Sequence, residues 1–258
     1  MHLILTGATG LIGTAVLDAM LSTPSLTKIS ILSRRPVPMA DAAHDPRVHV
    51  ILHSDFTTYD DPVLLDRLAD ATGCVWALGT SQAGVGREEY KTITKTFPLA
   101  FARALTSHNP NPKTPTPHPF NFIHISGTGA TFSPSPFTPL FGVVKGQAEL
   151  GLAALQRERP HFRVATVRAG AIDWGRHEAI WKYMPPQSLA KRVEAAGFPL
   201  LRALYRKWWT PTEELGGFVT GLAMGRWGEE ELRGAGVEVV EGGMVVVENE
   251  GFQRVWGV

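Results

Sequence analysis

Residues 1–13 of the chain read MHLILTGATGLIG, an apolar run followed by three glycines at intervals of three residues. Residues 3–5 are apolar at every position, which is typical of a strand buried on both faces of a parallel sheet. From Gly10 onward the apolar side chains recur every three to four residues, which predicts a helix. This stretch therefore predicts a strand, a tight loop and a helix in direct succession.

The three glycines have different physical roles in such a loop. Gly7 permits the turn out of the strand, Gly10 lets the backbone approach a pyrophosphate, and Gly13 lets the helix pack against the sheet. The free N–H groups of the first helical turn attract negative charge. A glycine triplet alone is a weak signal, but here strand, loop and helix come in the order that a dinucleotide site needs. We predict that the cofactor is bound by Gly7, Thr9, Gly10, Leu11, Ile12 and Gly13.

Length and composition limit the class of protein. A chain of 258 residues that is 44% hydrophobic has the size of a single α/β domain. The 25 basic residues nearly balance the 24 acidic ones, which favours neither nucleic acid nor a membrane as partner. Cys74 is the only cysteine and begins an apolar run, so we expect a core thiol and no intrachain disulfide. The nine histidines show no metal-like clustering, and no metal is predicted.

The start of the chain and its hydropathy bear on location. The first strand begins at once, so we expect no signal peptide. No apolar stretch approaches the ~20 residues of a membrane span. We therefore expect a cytoplasmic protein.

The end of the second predicted strand bears on the choice of cofactor. After residues 28–32 the chain continues with Ser33, Arg34 and Arg35 and offers no carboxylate. NAD sites typically place Asp or Glu here for the ribose 2′-hydroxyl, whereas a 2′-phosphate favours arginine. Arginine binds phosphate through two parallel charge-assisted hydrogen bonds. The turn therefore favours NADP(H), the alternative being two solvated arginines without a ligand.

Further strands are predicted over residues 48–52, from residue 74, over 120–125 and over 163–167. Six strands alternating with helices predict a Rossmann-type α/β fold with a doubly wound parallel sheet. Ligands bind at the carboxyl edge of such a sheet. Asp55 and Phe56 follow the third strand and either contact adenine or form a simple turn. After the fourth strand, we expect Leu78, Gly79 and Thr80 at the cofactor.

Prolines interrupt this alternation at three places. Five prolines over residues 108–119 predict an exposed extended connection, and a second proline-rich loop covers residues 133–139. Pro98 is expected to kink the helix predicted for residues 88–107. The helix after the second loop is expected to run to about residue 159.

The composition changes after residue 172. Aromatic side chains concentrate there and either wall a substrate pocket or pack helices together. Residues 210–214 predict a helix start with a capping hydroxyl, short strands are expected at 237–240 and 244–247, and Asn249 is expected to cap a last turn. We predict one domain over residues 1–258. It comprises a cofactor-binding core at 1–172 and a mostly helical substrate-capping region at 173–258.

Seven segments in this order and spacing point to a known family. They are TGATGLIG at 6–13, SRR at 33–35, ALGT at 77–80, HISG at 124–127, VKG at 144–146, VRAG at 167–170 and VVEN at 246–249. The pattern resembles the short-chain dehydrogenase/reductase superfamily, in its atypical NAD(P)H-binding branch of NmrA-like and Tat-interacting-oxidoreductase-like proteins. The resemblance covers nearly the whole chain. It implies that Lys145 holds the nicotinamide ribose and that Ala169 and Gly170 lie near the nicotinamide amide.

One departure from the family pattern falls on the chemistry. Family members that reduce carbonyls usually carry a Tyr proton donor four residues before the Lys, where this chain has Phe141. A phenyl ring donates no proton. Lys145 itself has a second interpretation, as a surface lysine paired with Glu149 one helical turn later.

Three functions remain open from the sequence. The first is an NADPH-dependent oxidoreductase acting on a small apolar or aromatic carbonyl or enone, whose acid is Ser126, Thr128, Lys145, a water or the substrate's own hydroxyl. Proton transfer by a positioned group is worth roughly 10²–10⁴-fold, so a replacement matters. The second is a non-catalytic NADP(H)-binding regulator with a protein partner.

The third function is a non-redox isomerase or cyclase that uses Asp173 or His177 as base, although a surface position is the default expectation for both residues. The aromatic-rich stretch favours an enzyme, whose partner is then a small-molecule substrate. The oligomeric state is left open.

Overall fold

The computed structural model describes residues 1–108, 119–187, 197–199, 204–240 and 242–258. The connection predicted for 108–119 falls, apart from its two end residues, outside the described residues. None of the described helices is both long and apolar enough to cross a membrane.

Strands and helices alternate through the first two thirds of the chain. The strands are β1 His2–Thr6, β2 Lys28–Ser33, β3 Val48–Leu52, β4 Gly73–Trp76, β5 Phe120–Gly127, β6 Phe162–Ala169, β7 Ala171–Asp173, β8 Trp209–Pro211, β9 Val237–Val239 and β10 Val245–Glu248. The helices are α1 Leu11–Leu21, α2 Pro38–Ala43, α3 Pro62–Asp66, α4 Arg87–Lys91, α5 Phe97–His108, α6 Leu140–Glu158, α7 Glu178–Trp181, α8 Thr212–Ala223, α9 Glu229–Leu232 and α10 Asn249–Trp256. Short 3₁₀ turns cover Gln82–Gly84 and Arg206–Trp208.

The main sheet has eight strands in the order β3-β2-β1-β4-β5-β6-β10-β9. All neighbouring strands are parallel except β9, which runs antiparallel to β10. The direction of winding reverses between β1 and β4, so the loops after these two strands diverge and leave a crevice at the carboxyl edge. The predicted doubly wound α/β fold is confirmed.

The central strands of the sheet are buried on both faces. Leu3 and Leu5 of β1 pack on one face with helices α1 and α8, whereas Ile4 packs on the other face with residues of α5 and α6. Trp76 lies at the centre of this second layer, with ring centroids 5.5 Å from Phe101 and 6.3 Å from Phe122. Cys74 is fully buried in the same layer, as the sequence predicts.

The last quarter of the chain is built partly into the main sheet. Strand β10 pairs with β6, with Val247 opposite Val167. Helix α8 lies against α1, where a Cβ atom on Gly216 would come within 2.5 Å of the Ala15 carbonyl oxygen. Strands β7 and β8 form a separate two-stranded parallel sheet. The substrate-capping role of residues 173–258 stays a prediction.

Two predicted helix caps are wrong. Helix α8 begins after Pro211 without a side-chain cap, and helix α10 begins after Glu248 in the same way. The hydroxyl of Thr210 donates instead to Asn249 Oδ1 at 2.5 Å, and that of Thr212 lies 3.1 Å from His177 Nδ1. These polar side chains make buried tertiary hydrogen bonds, which sequence spacing does not reveal.

The irregularity expected at Pro98 takes the form of a π turn. Residues Thr92–Thr96 form a π-helical segment between α4 and α5, and the Phe97 N–H donates to the Thr92 carbonyl five residues earlier. Proline has no N–H for the regular bond to the residue four before it. The π-helical segment ends two residues before Pro98, and such single π turns are a common cause of helix kinks.

Candidate active site

The glycine loop after β1 is packed too tightly for any other residue. Gly7 has φ +74°, and a Cβ atom there would lie 2.5 Å from the Ala77 carbonyl oxygen in the loop after β4. A Cβ atom on Gly13 would overlap the Gly7 carbonyl. The Gly10 N–H donates to the Gly7 carbonyl at 2.8 Å and closes the turn. The two loops that border the crevice are therefore in direct contact.

The start of α1 is open to an anion. Gly10 precedes the helix without a side-chain cap, and the first turn carries no acidic residue. The N–H groups of Leu11, Ile12 and Gly13 have no backbone acceptor among the described residues. Unpaired N–H groups and the helix dipole at such an end favour a phosphate. The loop therefore fits the pyrophosphate of a dinucleotide.

The basic turn after β2 reaches the glycine loop. Arg35 Nε donates to Thr9 Oγ1 at 3.4 Å, and the Arg35 N–H donates to the buried Ser33 hydroxyl at 3.3 Å. Arg34 and Arg35 are exposed, and neither forms an ion pair with a described carboxylate. Their charge is therefore available to a ligand bound beside Thr9.

In the turn after β3, one of the two residues predicted to contact adenine is buried in the core. Phe56 is fully buried in the core, 6.0 Å from the Trp76 ring and 5.8 Å from the Phe97 ring. The Asp55 carboxylate accepts hydrogen bonds from the Thr57 N–H at 2.8 Å and the Thr57 hydroxyl at 2.5 Å. Only Asp55 and the backbone of this turn are left for the predicted adenine contact.

The loop after β4 lies open at the same edge. The Leu78 N–H is 3.4 Å from the Thr6 hydroxyl, which ties this loop to the end of β1. Gly79 is exposed, with no atom within 4 Å of the position that a Cβ atom would take. Thr80 follows half-buried. These three predicted cofactor residues therefore border the crevice beside the glycine loop.

The end of β5 carries a hydroxyl without a partner. Ser126 Oγ is buried and makes no hydrogen bond to any described residue. The hydroxyl of Thr128, in contrast, donates to the carbonyls of Arg168 and Ala169 at 3.4 and 3.3 Å. Of these two predicted catalytic hydroxyls, Ser126 is free for a ligand and Thr128 is held by the backbone of β6.

Lys145 lies on α6 beside this strand end. Its Cε and Nζ atoms are 3.7 and 3.9 Å from the position of a Cβ atom on Gly127. The side chain is half-buried, and no described residue forms a hydrogen bond with Nζ. Burial lowers the pKa of Lys145 to about 8, against the attraction of Glu149, which raises it. The alternative of a surface lysine paired with Glu149 is wrong, because Glu149 is fully buried and pairs with Arg168.

Close to Lys145 lies a polar cluster, buried except for Glu248, that no motif in the sequence predicts as a unit. Arg168 Nη2 lies 2.5 Å from Glu149 Oε2, and Arg168 Nη1 lies 2.8 Å from Glu248 Oε1. His124 Nδ1 lies 3.2 Å from the Thr166 hydroxyl. Burial lowers the pKa of His124 to about 3, with a smaller contribution from the positive charge of Lys145, so this histidine is neutral. The sequence signal for this cluster is that ionisable residues, His124, Arg168 and Glu248, stand within otherwise apolar strands.

Phe141 occupies the position at which the resemblance expects a tyrosine. It lies in the first turn of α6 and is half-buried. Its ring is 3.2 Å from the position of a Cβ atom on Gly129, and its N–H donates to Gln82 Oε1 at 3.1 Å. The start of α6 is thus fastened to the loops after β4 and β5.

The segment predicted to lie near the nicotinamide is held by the C-terminal part of the chain. The Gly170 N–H donates to the Thr210 hydroxyl at 2.9 Å, and a Cβ atom on Gly170 would collide with the Trp208 carbonyl. Asn249 Nδ2 in turn donates to the carbonyls of Lys207 and Trp209 at 2.9 and 3.0 Å. Ala169 accepts the Thr128 N–H at 2.9 Å.

Asp173 and His177 are buried, so the expected surface position is wrong for both. The Asp173 carboxylate accepts hydrogen bonds from the Gly175 N–H at 2.8 Å and Trp209 Nε1 at 2.7 Å. His177 lies between Asp18 Oδ2 and the Thr212 hydroxyl, at 3.1 Å from each. Both side chains have structural partners, and neither is a free base.

The aromatic side chains after residue 172 fall into two groups. Trp174 packs edge-on against Phe198 with ring centroids 5.1 Å apart. Trp181, Tyr205 and Trp208 are 48%, 57% and 48% exposed. Their part in a substrate pocket stays a prediction. No group of three or more metal-ligating side chains is present in the described parts of the chain.

Two curated proteins are similar to this chain in sequence. "Leucinostatins biosynthesis cluster protein T" of Purpureocillium lilacinum is 33% identical over 223 residues, which are 79% of this chain and 77% of that protein. "Botcinic acid biosynthesis cluster B protein 16" of Botryotinia fuckeliana is 41% identical over 138 residues, 53% of this chain and 86% of that protein. The chain belongs to their family. No family model matches it.

Solved structures with the same fold identify the fold class of this chain. MoeE5 in complex with UDP-glucose and NAD superimposes with a TM-score of 0.63 at 15% identity, over 96% of this chain and 75% of MoeE5. A short-chain type dehydrogenase/reductase from Mycobacterium ulcerans gives 0.62 at 16% identity, over 97% and 89% of the two chains. The chain therefore has the short-chain dehydrogenase/reductase fold, as its sequence predicts. Membership of the NmrA-like branch stays a prediction.

Proposed function

We propose that this protein is an NADP(H)-dependent oxidoreductase acting on a small apolar or aromatic carbonyl or enone, in the atypical NmrA-like branch of the fold. The observation that carries the proposal is the open start of α1 behind the glycine loop, with Arg35 donating to Thr9 beside it. When bound, the nicotinamide supplies or accepts a hydride. The names of the two sequence relatives, both from biosynthesis clusters, support a small-molecule substrate.

Each part of the crevice has a role in this proposal. The first turn of α1 binds the pyrophosphate, and Arg34 and Arg35 bind the 2′-phosphate. Lys145 holds the nicotinamide ribose, and Ser126 faces the substrate. The Ser126 hydroxyl supports its role, because a buried polar group without a partner is costly unless a ligand or water satisfies it. The half-buried Lys145 amine forms no hydrogen bond to a described residue and is available to the ribose.

The first experiment is calorimetric binding of NADPH, NADP⁺ and NADH to the purified protein and to the variant R34A/R35A. A hydrogen bond to a charged group contributes about 1.5–3 kcal/mol, so the variant should bind NADPH roughly tenfold to a hundredfold more weakly. NADH binding should be unchanged. Arg67→Ala, at an exposed arginine after α3, serves as control. An equal loss for NADPH and NADH would contradict the NADP(H) assignment.

Phe141 favours one alternative, a non-catalytic NADP(H)-binding regulator, because the expected proton donor is absent. A screen of NADPH oxidation over aromatic ketones, quinones and enones separates the two functions. Turnover with any of these substrates supports the oxidoreductase, whereas selective NADPH binding without turnover supports the regulator. A non-redox isomerase or cyclase is disfavoured, because the structure engages its two candidate bases, Asp173 and His177.

A further inference from the structure

The carboxylate of Glu149 pairs with Arg168 of a neighbouring strand and not with Lys145, the cation on its own helix face. Lys145 and Glu149 lie four residues apart on α6, a spacing at which opposite charges normally pair. Glu149 instead binds Arg168 of the neighbouring strand β6. Arg168 Nε lies 3.3 and 3.2 Å from the two carboxylate oxygens and Nη2 lies 2.5 Å from Oε2. Lys145 Nζ is left without an ion pair to any described carboxylate.

We propose that Arg168 is a positioning residue for Lys145: by binding the Glu149 carboxylate from below, it keeps that carboxylate away from the Lys145 amine. The bidentate geometry makes this possible, because a planar guanidinium satisfies both carboxylate oxygens and a lysine would not. Glu149 is 0% exposed, so water does not reach its carboxylate. Which cation the carboxylate binds is therefore decided by the residues of this cluster. Glu248 binds the remaining side of Arg168 at 2.8 Å.

The other ionisable groups around α6 do not replace Glu149 as a partner of Lys145. His124 on β5 is neutral, and Glu248 on β10 is bound to Arg168. On the π-helical segment Thr92–Thr96, which packs against α6, Lys95 donates to Gln147 Oε1 at 3.1 Å. On α4, directly before that segment, burial raises the pKa of Tyr90. Glu149 is therefore the carboxylate that controls the charge of Lys145.

The consequence rests on the proposed function. With Phe141 at the tyrosine position, Lys145 takes the role of proton donor in addition to its contact with the ribose: one proton passes from its ammonium to the substrate oxygen, and solvent reprotonates the amine. A salt bridge to Glu149 would hold that proton. Burial lowers the pKa of Lys145 to about 8, and the attraction of Glu149, which raises it, does not offset the burial.

The test measures the protonation of Lys145 directly and needs neither cofactor nor substrate. The protein is labelled with trace acetic anhydride between pH 6 and 11, and mass spectrometry gives the labelling of Lys145 relative to the exposed Lys207. In R168M the freed Glu149 should pair with Lys145 and raise its labelling midpoint by about one pH unit or more. In E149Q/R168M, which leaves no buried carboxylate, the rise should be absent. E248Q keeps the central pair and should resemble the wild type.

Three results would overturn the proposal. They are an unchanged midpoint in folded R168M, a rise that persists in E149Q/R168M, and a rise in E248Q as large as that in R168M. If circular dichroism shows R168M to be unfolded, R168K takes its place. We expect a smaller rise of the labelling midpoint in R168K, because an ammonium still binds Glu149 but does not engage both carboxylate oxygens as a guanidinium does. An unchanged midpoint in folded R168K then contradicts the proposal. Since labelling is done on the free protein, these results are distinguishable from a failure to bind NADPH.

Discussion

Phe141 is the single residue on which the proposed chemistry turns. Its half-buried ring lies in the first turn of α6, four residues before Lys145. Phe141→Tyr adds a hydroxyl on the helix face of Lys145. If proton transfer limits turnover, NADPH oxidation with an aromatic ketone or enone should rise, by up to roughly 10²–10⁴-fold.

Phe141→Leu is the matched control, because it changes the ring without adding a hydroxyl and should not raise the rate. NADPH absorbance measures both variants at equal cofactor saturation. A Tyr variant no faster than the wild type would mean that the missing hydroxyl is not limiting.

The tight packing of the glycine loop gives a second prediction at the same scale. Gly13→Ala places a methyl group against the Gly7 carbonyl and should cost about 1–3 kcal/mol of unfolding free energy, as overpacking does. The displaced loop should also bind NADPH at least tenfold more weakly. Urea denaturation and calorimetry give the two quantities.

Gly79→Ala serves as the stability control, because nothing lies within 4 Å of the added methyl group. Its unfolding free energy should stay within about 0.5 kcal/mol of the wild type. Equal destabilisation by the two variants would contradict the close contact between Gly13 and Gly7.

Residues of the glycine loop could be predicted from sequence because their constraint is local. Gly10 and Gly13 meet the Gly7 carbonyl a few residues away, and the positive φ of Gly7 belongs to the same turn. The close approach of Gly7 to Ala77 depends on the fold and is not local. Glu149 and Arg168 could not be paired in this way, because their contact depends on how α6 crosses β6. Tertiary hydrogen bonds misled the cap predictions at Thr210 and Asn249 for the same reason.

Among the secondary structure elements, α3 tests a local capping interaction. Asp61 Oδ1 accepts the Val63 N–H at 2.9 Å at the start of this helix. Asp61→Ala should cost about 1 kcal/mol of unfolding free energy. Asp60→Ala, next to it and without a capping bond, should change the free energy by less than about 0.5 kcal/mol. Denaturant midpoints check both, and equal losses would contradict the assignment of the cap.

Strands were easier to predict than the ends of elements. Apolar runs identify β1, β2, β4, β5 and β6 because these strands are largely buried on both faces, whereas the edge strand β3 is only partly buried. The observed ends differ by one or two residues where pairing decides them, as at β5, which continues to Gly127 through its register with Ala169. The short 3₁₀ turn at Arg206–Trp208 has no comparable pattern and was not predicted.

At the scale of the whole molecule, buried histidines make stability depend on pH. Burial lowers the pKa of His124 from 6.5 to about 3 in the folded chain, and burial also lowers the pKa of His2. The unfolded chain therefore binds more protons below pH 6.5. The stability that these neutral buried histidines contribute is fully present above pH 6.5 and is lost as the pH falls toward 3.

For His124 alone the loss between pH 7.5 and 5.5 should be about 1.4 kcal/mol. Urea denaturation at these two pH values measures it. His124→Asn should reduce the difference by about that amount, whereas His161→Gln, at an exposed histidine, should leave it unchanged. An unaltered pH dependence in His124→Asn would contradict a neutral buried His124.

The overall fold followed from the alternation of strands and helices, because each βαβ unit is a local pattern with one preferred handedness. The position of β10 beside β6 was not predicted. The two strands are separated by the segments that form β7, β8 and α8, so their pairing depends on the complete core.

The Glu149–Arg168 pair restricts how this sequence drifts in evolution. Removing one partner of a buried ion pair costs about 3–5 kcal/mol, whereas replacing both by apolar residues can be neutral. A lineage that changes one position first therefore passes through a poorly stable intermediate. We expect the two positions to be retained together or exchanged together among descendants, and the loss of one to be followed quickly by the loss of the other.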